Sequence, residues 1–77
     1  MPHVIVKMLA GRDDKQKQQL ADELAKVVMK HTGNTEDAVS VSIEDIEHSD
    51  WTEKVYKPDI AAKWNTLYKK PGYNPLT

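Results

Sequence analysis

The chain has 77 residues, no cysteine and a formal net charge of −1 at neutral pH. That length fits one domain spanning residues 1–77, and the near-neutral balance, with Lys69-Lys70 as the only basic run, argues against a nucleic-acid partner. No apolar run approaches the roughly 20 residues of a membrane span and no leader pattern precedes the first element, so no membrane partner is expected and the expected compartment is the cytoplasm. A chain this short buries only about 60% of its unfolded surface, and without disulfides either a metal or a second subunit must supply the missing stability. His3, His31 and His48 are too scattered for zinc-type spacing, so no metal is expected and association remains.

Taken in chain order, Val4-Ile5-Val6 and Met8-Leu9 form a β-branched, nearly continuous apolar run that reads as a strand covered on both faces. Pro2 stands at its mouth, where a residue without an N–H is tolerated. It also carries a chemical reading: removal of Met1 would leave a secondary amine at the chain terminus, a ready base or nucleophile. Gly11 ends the strand. Asp13-x-x-Gln16 then opens a helix as a capping box, with Leu20, Leu24, Val27, Val28 and His31 at helical spacing and Gly33-Asn34 as the stop. Val39-Ser40-Val41-Ser42-Ile43-Glu44 alternates as a strand with one apolar face. Asp50-x-x-Glu53 starts a short helix near 51–56, and Pro58 interrupts it and starts a second. That second helix carries the stripe Ile60, Trp64, Leu67 and Tyr68 and ends at Lys69-Lys70-Pro71-Gly72, leaving Tyr73–Thr77 as a tail. Strand, helix, strand is a crossover unit with parallel strands. Two strands and one helix leave an uncovered face and open edges, so the pattern asks for a second copy and a four-stranded sheet.

Leu9-Ala10-Gly11-Arg12-Asp13-Asp14-Lys15-Gln16-Lys17, at this distance from an amino-terminal proline, resembles the strand-to-helix junction of the 4-oxalocrotonate tautomerase family. Val39–Ile43 resembles that family's second strand, and Ser49-Asp50-Trp51 through Lys69-Lys70-Pro71-Gly72-Tyr73 looks like the PptA-type branch of these small tautomerases. The resemblance implies an α+β, βαβ tautomerase (MIF-like) fold: two parallel strands per chain plus C-terminal helices, with the sheet completed by dimerisation. It also implies a homodimer, an isomerase activity without cofactor, and a small-molecule carboxylate substrate of the enol-pyruvate type.

In that implied chemistry Pro2, freed of Met1, takes a proton from an enol and returns one to carbon. A free α-amine titrates near pH ~8, and an apolar pocket with a neighbouring cation brings such a group towards the pH where a base works best. Arg12 offers a planar fork for the substrate carboxylate. Trp51 matches an aromatic that lines the pocket and equally suits a core anchor. Where founding members carry a second arginine on strand two, this chain has Ser40, which can donate one hydrogen bond but cannot pair with a second carboxylate; a monocarboxylate such as an aryl enolpyruvate follows. His3, beside Pro2, is either a second tuner of the base or a solvent-facing strand residue. Two other readings stand beside the tautomerase: another reaction on the same scaffold, a decarboxylation or hydration with protonated Pro2 as acid, and a catalytically silent βαβ interaction module.

Overall fold

The first strand, β1 (His3–Leu9), begins one residue after Pro2, as a residue with no ladder N–H requires. The computed structural model describes residues 1–77, which divide into two compact units, Met1–Asp45 and Ile46–Thr77. In the first unit β1 leads through Gly11, whose φ of 133° lies outside the range comfortable for other residues, into helix α1 (Asp14–Thr32). Asp13 caps α1 as its spacing predicts. Its carboxylate accepts from the Gln16 N–H at 2.8 Å and its own N–H donates to Gln16 Oε1 at 3.1 Å, completing the box. At the other end Gly33 adopts the left-handed conformation, φ 73°, and donates to the Met29 carbonyl at 2.9 Å.

Strand β2 (Ser40–Ile46) lies parallel to β1 in a two-stranded sheet. The pairing starts with the Ser40 N–H donating to the Pro2 carbonyl at 3.2 Å, which sets Ser40 level with His3. The strand forms where expected, but burial along it does not strictly alternate, since Ser42 is half-buried like Val41 and Ile43. Val41 and Ile43 are half-buried on the side of α1, and Asp45 on the same face accepts from Lys17 of the helix at 2.8 Å. That hydrogen bond is the main cause of a Lys17 pKa raised above the ordinary 10.5, with the nearby Asp14 carboxylate, 3.5 Å away, adding to it. A raised lysine stabilises the fold fully below its unfolded value, and the contribution disappears only as pH rises through the raised one.

Coverage of β1 differs from the sequence expectation. Val4 and Val6 are half-buried, but Ile5 on the opposite face keeps 55% of its surface exposed. One helix covers one face of a sheet, so a strand apolar on both faces is left half-dressed in a single chain. The helix stripe narrows for the same reason: Leu20, Ala21, Leu24, Ala25, Val28 and Met29 are half-buried, while Val27 is 53% exposed and His31 is exposed. No residue of α1 is fully buried.

In the second unit a short 3₁₀ turn, His48–Asp50, leads through Trp51 into a π-helical segment, Thr52–Ala61. This corrects the expectation of two helices meeting at Pro58. A proline in an α-helix removes an N–H and presses on the carbonyl four residues back. The wider π turn, seen in the Ala62 N–H donating to the Lys57 carbonyl five residues back at 3.0 Å, carries the chain through Pro58 without a break. Beyond Ala61 only a 3₁₀ turn, Trp64–Thr66, follows. The predicted stripe therefore has no helix to align it: Ile60 and Leu67 are half-buried, whereas Trp64 is 38% and Tyr68 fully exposed.

The tail is tied down instead by aromatics. Val55 and Tyr56 are the two buried hydrophobic residues of the chain. The Tyr56 and Tyr73 rings lie 5.5 Å apart at 53°, and Trp51 Nε1 donates to the Tyr73 hydroxyl at 2.8 Å. Lys70 sits over the Trp64 ring at 5.8 Å.

Two substitutions check these local arguments. Asp13→Ala removes the cap of α1 and is expected to cost about 1 kcal/mol, read as a drop of roughly 4–8 °C in melting temperature for a domain of this size. Tyr73→Phe removes the acceptor of the Trp51 N–H. In a Trp64→Phe background, Trp51 fluorescence should become more accessible to acrylamide; unchanged quenching would mean that Tyr73 does not hold the indole.

Candidate active site

The site expected from the sequence is assembled from the ends of the two strands. Pro2 is half-buried, and its carbonyl is held by the Ser40 N–H. Met1 precedes it fully exposed, so with Met1 in place the Pro2 nitrogen is a tertiary amide without basicity. The atom in question belongs to the main chain, and its access is therefore not tied to either face of the sheet. Ser40 lies beside it as the first residue of β2. The Ser40 hydroxyl shares a hydrogen bond of 2.7 Å with His3 Nδ1. Parallel register puts these two side chains next to each other on the face away from Val41 and Ile43.

Arg12 stands elsewhere. It follows Gly11 past the far end of β1, is exposed, and donates from Nη1 to the Leu9 carbonyl at 3.2 Å. The seven residues of β1 separate it from Pro2, a run of about 23 Å at ~3.3 Å per residue. One chain thus gathers Pro2, His3 and Ser40 at one end of the sheet and holds Arg12 at the other. Trp51, the fourth expected residue, belongs to the second unit, where it precedes the π-helical segment, half-buried and bonded to Tyr73.

Two clefts lie away from these groups. The larger, about 440 Å³, is bounded by Asp14, Lys17, Gln18, Ala21, Val41 and Ile43. The other, about 290 Å³, is bounded by Asp22, Ala25, Lys26, Met29 and Glu36. The first is wide open, and its lysine is already paired with Asp14 and Asp45. The carboxylates and lysines of both clefts belong to the exposed polar side of α1 and the turn after it, and neither cleft includes Pro2, Arg12, Ser40 or Trp51.

Sequence reasoning placed Pro2, Arg12, Ser40 and Trp51 on the correct elements but missed two partners. The His3–Ser40 bond follows from register, which a strand pattern alone does not supply. The Trp51–Tyr73 bond joins residues 22 positions apart, and no spacing rule announces it.

Comparison with known proteins gives the family of the chain. The model of the family described as tautomerase enzyme matches residues 2–54, beginning at Pro2. A probable tautomerase of Xylella fastidiosa is 47% identical over 76 residues, covering 99% of this chain and 93% of its own. Tautomerase PptA of Cronobacter sakazakii is 43% identical over 75 residues, covering 95% and 97%. Among solved structures, YwhB, described as a homologue of 4-oxalocrotonate tautomerase, aligns over 60% of this chain and 75% of its own with a TM-score of 0.58 and 41% identity. A 4-oxalocrotonate tautomerase isozyme of Methylibium petroleiphilum shares the fold over 65% of this chain and 81% of its own, TM-score 0.63 at 24% identity. With a βαβ unit whose first strand follows Pro2, a family match from Pro2 through Lys54, and relatives aligned along almost its whole length, the chain belongs to the tautomerase family.

Proposed function

We propose that the protein is a cytoplasmic, cofactor-free keto–enol tautomerase acting on a small enol-pyruvate-type monocarboxylate, with Pro2, freed of Met1, as the proton carrier. The observation that carries this reading is the start of the family match at Pro2, the residue whose nitrogen heads β1. The relatives that align from end to end support the whole chain, residues 1–77, acting as one tautomerase domain.

In this reading the Pro2 nitrogen accepts the enol O–H proton, the oxygen lone pair closes to C=O, and the C=C electron pair takes a proton from the Pro2 ammonium at C3. Proton count and charge return to their starting values, so no cofactor is needed. Arg12 binds the substrate carboxylate through its planar fork and draws charge away as the enolate forms. Trp51, held by Tyr73, is the proposed aromatic wall. Ser40 brings no charge to the strand-two position, which favours one carboxylate over two.

The length of β1 adds a requirement. Pro2 and Arg12 of one chain lie too far apart to touch one small substrate. Antiparallel pairing of β1 with β1 of a second copy sets the end of one strand against the start of the other, so that the Arg12 of one copy reaches the Pro2 of the other. The exposed Ile5 and Val27 support such association. The proposed assembly is a homodimer with a four-stranded sheet and two equivalent sites.

Four measurements test this. Turnover of phenylenolpyruvate by Met1-trimmed protein should be lost when Met1 is retained, with the fold intact; equal rates in both forms would remove Pro2 from the mechanism. Light scattering in dilute solution should give the dimer mass, and a stable monomer would contradict the assembly. Arg12→Ala should lower kcat/KM by about one to three orders of magnitude, the roughly 2–5 kcal/mol attached to truncating a desolvated charge pair being reduced by solvent access at the exposed guanidinium. Mixing Arg12→Ala subunits with Met1-retaining subunits should then restore activity, because a mixed dimer holds one complete site. No recovery after confirmed subunit exchange would place Pro2 and Arg12 in separate functions.

A further inference from the structure

The hydrogen bond between His3 and Ser40 gives the strand-two position a use that Ser40 alone does not have. Ser40 N–H is engaged by the Pro2 carbonyl, and Ser40 Oγ lies 2.7 Å from His3 Nδ1. The hydroxyl thus has a neighbour within hydrogen-bond distance that can take its one proton. The contact admits the hydroxyl as donor to Nδ1, the arrangement in which the neutral imidazole carries its proton on Nε2. It also holds the ring of an exposed strand residue in one orientation, at the end of the sheet where Pro2 lies.

We propose that His3 is a catalytic residue of the tautomerase site, donating from Nε2 to the oxygen of the reacting enol, and that Ser40 is the positioning residue that sets its tautomer and angle. The inference rests on the assignment of Pro2 as proton carrier. A proton moving between oxygen and carbon leaves transient negative charge on that oxygen, and a fixed donor aimed at it lowers the barrier. In the proposed dimer the partner's Arg12 is engaged by the substrate carboxylate and Ser40 is uncharged, so His3 is the side chain that the strand ends themselves supply to the reacting oxygen. The donor stays on His3 throughout: Pro2 takes the enol proton, C3 receives one from Pro2, and the imidazole hydrogen bond shortens and relaxes without transferring its own proton.

The test is steady-state turnover of phenylenolpyruvate by Met1-trimmed protein and a set of variants whose folding is checked by thermal melting. Asn in place of His3 keeps a polar atom near the Nδ1 position but has nothing at Nε2, whereas Gln reaches the Nε2 position. Removing a donor from a buried oxyanion site costs about 10²–10³ in kcat; His3 is exposed, and about tenfold is expected for His3→Asn, mainly in kcat with KM little changed. His3→Gln should recover part of that loss. Ser40→Ala should lower kcat about threefold, Ser40→Thr should restore it, and Ser40→Ala should have no further effect in the His3→Asn background.

Wild-type kcat in His3→Asn, or a Ser40→Ala loss that persists undiminished in the His3→Asn background, overturns the proposal while leaving Pro2 in place. A loss confined to KM overturns the oxygen-facing role as well. Trimmed wild-type protein that does not turn over phenylenolpyruvate overturns the Pro2 reading and this one with it, so the two failures are told apart by the wild type alone.

Discussion

Because β1 and β2 run parallel, the chain must return along the whole length of β1 before β2 can begin. A parallel pair cannot be joined by a tight turn. The return is made by α1, whose 19 residues span about 28 Å at 1.5 Å per residue, enough to cover the strand it crosses. The capping box at Asp13 and the left-handed Gly33 set where that helix starts and stops, and so where β2 enters. With both strands starting at the same end, Pro2, His3 and Ser40 become neighbours. The same constraint sends Arg12 to the opposite end. The separation of base and guanidinium is thus a consequence of the crossover, and in the proposed dimer it is also what makes the second copy part of the site.

The sparse interior of the chain follows from the same arithmetic. Two strands and one helix have more apolar surface than they can hide from water, and Val55 and Tyr56 are its only buried hydrophobic residues. Ile5 and Val27 carry the apolar pattern of core residues without the burial. Burial is worth about 25 cal/mol per Å², so exposed aliphatic groups of this kind are a standing drive towards association.

Ionic contacts play a smaller part. The Lys54–Asp50 and Lys57–Glu53 pairs are exposed turns-apart contacts of the sort that contribute little. Lys17, more sheltered and bridging Asp14 and Asp45, ties the first turn of α1 to the last part of β2. The second unit is held differently, by the Trp51, Tyr56 and Tyr73 cluster, which makes the C-terminal tail a structural partner of the residue proposed to wall the pocket.

What the sequence determined by itself was local and periodic. The start and end of α1 were legible because caps depend on residue types a fixed few positions apart. The alternation of β2 was legible because a strand has period two, and the opening proline was legible because it lacks an N–H. The resemblance carried by Pro2, Arg12 and the second strand pointed to the tautomerase family, and the relatives bear that out. Only the tertiary structure decided the rest. The fate of Pro58 depended on a π turn that helical periodicity does not encode, and with it went the stripe from Ile60 to Tyr68. The pairing of His3 with Ser40 depended on strand register, which joins residues 37 positions apart and is set by how α1 returns the chain. The distance from Pro2 to Arg12 depended on β1 being straight and continuous between them. Contacts of this kind are made by the path of the backbone, and no local run of residues specifies that path.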